Sequence, residues 1–112
     1  MPILRNAHRA IIEERKIRDY VLNRGHPRGG SKAGVIAAAT GLGRLHHADL
    51  IGQIRQGILA HDAEVIGEYE GRPLYRVDVT IASPKDMMRL RTGWIYEVDE
   101  DAPRLTTAYP LR

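Results

Sequence analysis

The stretch His26-Pro-Arg-Gly-Gly-Ser-Lys32 brings together side chains and backbone that suit phosphate chemistry. Gly29 and Gly30 carry no Cβ, so their main-chain N–H groups can turn toward an anion. Ser31 stands where a helix is predicted to begin, and a helix start adds partial positive charge. Arg28 and Lys32 supply full charges, Arg28 with the planar fork that matches a phosphate. An imidazole such as His26 is the side chain suited to proton transfer near neutral pH. The glycine spacing before Lys32 is not that of a Walker loop. The same residues also read as a solvated basic connector between two helices.

A second set lies near the C-terminus, where Arg89 and Arg91 share one face of a predicted strand and Thr106, Thr107 and Tyr109 stand on the last one. Cleavage of RNA without a metal needs a base for the 2′-hydroxyl, an acid for the leaving oxygen and cations for the developing charge. His26, Lys32 and Arg91 meet that need by type, and the Thr107 and Tyr109 hydroxyls can position a phosphate. Threonine and tyrosine are also ordinary strand formers, and paired arginines commonly lie on a solvated face. His46 and His47 are helix neighbours pointing about 100° apart, which prevents joint chelation of one ion. With His61 isolated, no metal site and no cofactor is expected. Trp94 reads as core, His8 has no assigned role, and the absence of cysteine excludes disulfides and a thiol nucleophile.

These groups need elements to hold them. Ile17, Tyr20 and Val21 recur at helical spacing within Glu13 to Leu22, opposite Glu14 and Arg18, which predicts a first amphipathic helix. Asn23 to Gly30 must be a loop. Ser31 is expected to cap a second helix reaching about Ala39, with Val35, Ile36 and Ala39 inward and Gly41 as its stop. A third helix is predicted from about Leu45 to Ala60 on Ala48, Ile51, Ile54, Ile58 and Leu59. After His61 the period changes to two: Val65 to Tyr69, a tight Glu70-Gly71 turn, then Pro73 to Ala82 with Tyr75, Val77, Val79 and Ile81 on one face. A Ser83 to Asp86 turn leads into Met88 to Val98, where Gly93 marks a bulge, and Leu105 to Tyr109 forms the last strand. The expected fold is α+β, three N-terminal helices followed by about four antiparallel strands with the helices on one face.

Bulk properties agree with one small domain over 1–112, with a helical half to about 62 and a sheet half from about 63. The 112 residues are 43% hydrophobic and 28% charged. No apolar run approaches the roughly 18 to 20 residues of a membrane span. Met1 to Arg9 lacks the apolar stretch of a signal peptide, so a cytoplasmic location is expected. Residues 1–63 carry ten Lys/Arg against five Asp/Glu, and residues 64–112 carry seven against nine, so the helical half is +5 and the sheet half −2. A basic half suits a polyanion.

The segments Lys16-Ile-Arg-Asp-Tyr-Val-Leu-Asn23 and His26-Pro-Arg-Gly-Gly-Ser-Lys-Ala33 resemble an uncharacterised bacterial small-domain family. They are also similar to C-terminal modules of polymorphic and contact-dependent inhibition toxins. Trp94-Ile-Tyr-Glu-Val and Pro103-Arg-Leu-Thr-Thr-Ala-Tyr-Pro110 extend the resemblance to the last strand. Helices before a four-stranded sheet resemble the barnase–EndoU–colicin–RelE nucleases, which cleave RNA without metal. That resemblance implies catalytic roles for His26, Lys32, Thr107, Tyr109 and Arg91, and a small antitoxin or immunity protein as partner. Gly43-Arg44-Leu45-His46-His47 departs from the Ser/Thr cap and acidic residues expected of relatives, which puts the start of the third helix in question. The leading expectation is a toxin-like, metal-independent ribonuclease. A non-catalytic module binding nucleic acid or protein through the same basic loop is the alternative, and an enzyme acting on a small phosphorylated ligand is a third.

Overall fold

The structure, a computed structural model, describes residues 2–28, 30–83 and 85–111. Helix α1 (Glu14–Lys16) runs directly into a π-helical turn (Ile17–Val21); α2 spans Gly30–Thr40 and α3 His47–Ala60, with 3₁₀ turns at Ala7–Arg9 and Arg44–His46. Strands β1 (Glu64–Tyr69), β2 (Arg72–Ala82), β3 (Met87–Ile95) and β4 (Arg104–Pro110) follow and pair antiparallel in chain order. The architecture is the predicted α+β one, with its helices before a four-stranded antiparallel sheet. Among the described residues no helix is long and apolar enough to cross a membrane.

The alternation in β2 organises the core. Val77, Val79 and Ile81 are fully buried and join Leu50, Ile54 and Ile58 of α3 in one apolar cluster. Burying a large aliphatic side chain contributes roughly 1.5–3 kcal/mol, so this layer outweighs any surface pairing in the molecule. Gly57 permits the close approach of α3, because a Cβ there would stand 2.6 Å from Val79 Cγ1. Trp94 is completely buried, and its Nε1–H donates to Thr92 Oγ1, which donates in turn to the Val77 carbonyl, so no polar atom of this triad is stranded.

Local chemistry explains the ends. Glu70 and Gly71 both take positive φ, the conformation of a tight hairpin turn between right-twisted strands. Gly41 stops α2 at φ 78. β3 ends at Ile95 rather than Val98, because Glu100 N–H turns back to the Glu97 carbonyl. The predicted turn after β2 is closed by Ser83 N–H donating to the Asp86 carbonyl; Pro84, within it, lies outside the described residues.

Three local expectations are corrected. α2 begins at Gly30, so Ser31 lies inside its first turn instead of capping it. α3 buries Leu50, Ile54 and Ile58, while Ala48 and Leu59 stay exposed; an inward stripe centred on Ile54 leaves both at its margins. The first helix is not a regular α-helix. Ile17, Val21 and Leu22 are all buried, and the wider π turn, with Leu22 N–H reaching the Ile17 carbonyl, brings Leu22 inward in place of Tyr20. Where the α3 start departs from the relatives' pattern, a histidine takes the cap's place: Gly43 N–H donates to His46 Nδ1 at 2.9 Å.

Candidate functional site

Displacing Tyr20 from the core has a consequence for the surface. Tyr20 lines a cleft of about 510 Å³ between the Glu14–Val21 segment and β4, together with Arg15, Lys16, Asp19, Thr106 and Thr107. The cleft exists because β4 is an edge strand whose outer side is held by the N-terminal segment. Leu105 N–H donates to the Ile11 carbonyl, and Lys16 Nζ reaches the carbonyls of Leu105 and Thr106 at 3.0 and 3.3 Å. The β3–β4 register slips between Gly93 and Trp94, which leaves Thr106 as the extra residue of a bulge. Gly93 makes room for this: a Cβ there would stand 2.8 Å from Thr106 Oγ1 and 3.0 Å from Thr107 Cγ2.

Arg91 and Tyr109 are register partners across β3 and β4. The Arg91 guanidinium donates two hydrogen bonds to Asp78, at 2.9 and 3.0 Å. These bonds hold the Asp78 carboxyl below the ordinary carboxylate range, with partial burial opposing them. Asp78 likewise raises the Arg91 pKa above its ordinary value, with a smaller contribution from the Tyr109 hydroxyl. Lys32, in the first turns of α2, places its ammonium 5.0 Å from the centre of the Tyr109 ring.

His26 packs edge-on against Tyr20, ring centres 4.5 Å apart. Its Nδ1 accepts the Arg28 N–H at 3.0 Å, so the neutral imidazole carries its proton on Nε2. Its carbonyl accepts the Gly30 N–H at 2.9 Å. Gly30 is required for packing, because a Cβ would fall 2.4 Å from the Arg24 carbonyl oxygen. Arg28 and Ser31 are exposed on the same loop and first turn. Gly29, also expected to bind phosphate, lies outside the described residues.

The residues selected from sequence thus form two groups that meet at β4. Lys32, Tyr109 and Arg91 make a continuous line. Thr107 shares the cleft with Tyr20, against which His26 rests. Sequence reasoning missed Lys16, Tyr20 and Asp78. Tyr20 sits at a spacing that reads as core, Lys16 at one that reads as solvated, and Asp78 becomes a partner of Arg91 only once the β2–β3 register is known.

A polar network buttresses the cleft from behind. Asp19 accepts from Arg18 at 2.9 Å and from Arg44 at 2.9 Å, which holds its carboxyl down to about 2. His47 contacts Glu14 Oε1 at 2.8 Å and the Arg44 carbonyl at 2.9 Å, tying α3 to α1. Among the described residues no group of three or more His, Asp or Glu converges to hold a metal ion. The cleft itself offers the Thr106 and Thr107 side chains and the basic Arg15 and Lys16, with the His26 imidazole against the Tyr20 ring.

This sequence matches a family described as a domain of unknown function, DUF6883, over residues 3–112. The chain belongs to that family, whose model takes in every element of the fold and both groups of site residues. No curated protein and no solved structure matches the chain.

Proposed function

We propose that this chain is a toxin-type, metal-independent endoribonuclease that cleaves single-stranded RNA in the cleft beside β4. The observation that carries the reading is the line from Lys32 through Tyr109 to Arg91, which meets at β4 a cleft lined by Thr107 and Tyr20, with His26 packed against the Tyr20 ring. In the proposed reaction the 2′-oxygen forms a bond to the adjacent phosphorus while its proton leaves to water. The bond from phosphorus to the 5′-oxygen breaks, and that oxygen takes the Nε2 proton of His26 in its imidazolium form, reached when Nδ1 binds a proton and releases the Arg28 N–H; the ring is left as neutral imidazole. The products are a 2′,3′-cyclic phosphate and a 5′-hydroxyl. Lys32 offsets charge on the phosphorane, and the Thr107 and Tyr109 hydroxyls hold the phosphate. Arg28 and Ser31 guide the neighbouring backbone phosphate on the α2 side.

Arg91 takes a different part from the one expected of a free cation. With its guanidinium engaged by Asp78, it positions Tyr109. The same engagement favours the second reading, a module that binds RNA without cutting it, since one cation assigned to the transition state is already paired. In either reading, a small acidic antitoxin or immunity protein would cover the cleft.

The test uses end-labelled single-stranded RNA and DNA of one sequence, incubated with the purified chain in EDTA. RNA is cut and DNA is not, and His26→Ala or Lys32→Ala slows cleavage by about 10²-fold or more while circular dichroism stays unchanged. Binding of RNA without cleavage would select the second reading. Equal cleavage by wild type and His26→Ala would remove His26 from the site.

A further inference from the structure

The sheet leaves part of β2 without a neighbour on one side. β1 covers β2 only from Arg72 to Arg76, where it pairs through Glu64, whereas β2 continues to Ala82. At the far end the Gln53 side chain behaves as a strand would: its Nε2 donates to the Ala82 carbonyl at 2.8 Å, and its Oε1 accepts the Ala82 N–H at 2.7 Å. Ala82 therefore turns its main-chain groups away from β3, and strand alternation turns those of Thr80 and Asp78 the same way. Between Arg76 and Ala82 these groups meet no strand among the described residues. An unpaired strand edge is a template for another extended chain.

Helix α3 roofs this edge. A groove of about 640 Å³ runs between Thr80 and the α3 residues Asp49, Gly52 and Gln56. The space above Gly52 is open, since a Cβ there would meet nothing within 4 Å. The gap between Arg76 and Ala82 accommodates about five residues at roughly 3.3 Å each.

Charge selects the occupant. Asp49 lines the groove, Asp86 stands just past the Ala82 end, and Asp62 precedes β1; all are exposed and none forms an ion pair among the described residues, whereas the nearby cations are engaged, Arg89 and Arg91 by Asp78, Arg76 by Glu64 and Lys85 by the Ala38 carbonyl. A polyanion would be repelled. A second copy offering its exposed strand β1 would bring Glu64 and Glu68, and no basic residue of that strand, against the same carboxylates. We propose that the β2 edge at Asp78–Thr80, under α3, binds an extended basic segment of a partner protein as an added antiparallel or parallel strand.

The probe is a capped six-residue peptide alternating lysine and valine, titrated into the full chain by amide NMR, beside a counterpart with glutamate for lysine. The basic peptide should shift and protect the Asp78 and Thr80 amides, and the acidic one should bind at least tenfold more weakly. Thr80→Pro removes one outward N–H and leaves the β3 ladder intact, so it should weaken binding by about five- to tenfold. Asp49→Lys, on the exposed surface of α3, should weaken it as well and guards against misfolding of the proline variant. Equal affinity for both peptides, shifts confined to other surfaces, no binding at millimolar peptide, or full affinity in both variants would overturn the proposal. So would sedimentation showing a dimer whose contact protects the same amides.

Discussion

The two edges of the sheet are finished by opposite means. At β4 the helical half closes the strand: Ile11 takes the Leu105 N–H, Lys16 takes two carbonyls, and Pro110 has no N–H to leave open. Arg104 ties the same strand to Glu13 of the N-terminal segment and to Glu100. At the other side β1 is exposed over its whole length, with Val65, Ile66 and Tyr69 about half accessible, and the remainder of β2 has only the Gln53 side chain. Charge differs between the two edges as well. Lys16 and Lys32 stand at β4, while the unpaired Asp49, Asp62 and Asp86 rim the far edge. A guarded edge makes a cleft with fixed walls, as chemistry requires, and an open edge makes a surface for another chain.

Two glycines offer the largest lever on this contrast, because each sits under one edge. Gly57→Ala would push a methyl into Val79, and Gly30→Ala would push one into the Arg24 carbonyl. Each is expected to destabilise the fold by about 1–3 kcal/mol in urea titrations, the usual cost of overpacking. For Gly57 the better helix propensity of alanine, worth about 1 kcal/mol, offsets only part of this. The consequences should separate: Gly57→Ala shifts amide signals along β2 and spares RNA cleavage, whereas Gly30→Ala displaces the His26–Arg28 loop and slows it. Matching losses of cleavage in both variants would show that the edges are mechanically coupled.

Much of this was legible beforehand. The period-two run from Tyr75 to Ile81, the Glu70-Gly71 turn and the Gly41 stop each rest on local chemistry, and all stand where patterning puts them. The line of Lys32, Tyr109 and Arg91 was legible by residue type only. What patterning could not give was the π turn at Ile17–Val21, since Ile17, Tyr20 and Val21 satisfy α spacing and only packing against the rest of the core decides that Leu22 goes inward. The engagement of Arg91 by Asp78 depends on a register set over the full length of β2 and β3. The vacancy on β2 is equally invisible, because it follows from where β1 stops.

The smallest expected effect concerns acid. Asp19 titrates at about 2 in the fold, against an ordinary 3.8, because Arg18 and Arg44 favour its charged form. A depressed carboxyl contributes stability above the unfolded value and loses it as pH falls through the folded one, because the unfolded chain then binds more protons. Urea midpoints should therefore decline between about pH 4 and pH 2, less steeply in Asp19→Asn. The difference will be small, since the group is solvent-screened. A parallel decline in both proteins would assign acid sensitivity to other carboxylates and remove this network as a brace of the β4 cleft.

Chemistry at the guarded edge would be written in the ends of the products. Purified chain is incubated in EDTA with an RNA oligonucleotide, the fragments are analysed by mass spectrometry, and the scissile nucleotide is then replaced by its 2′-deoxy form. The expected fragments carry 2′,3′-cyclic phosphate and 5′-hydroxyl ends, and cutting stops at the deoxy position. Intact RNA, ends bearing 5′-phosphate, or unchanged cutting at the deoxy position would contradict that chemistry.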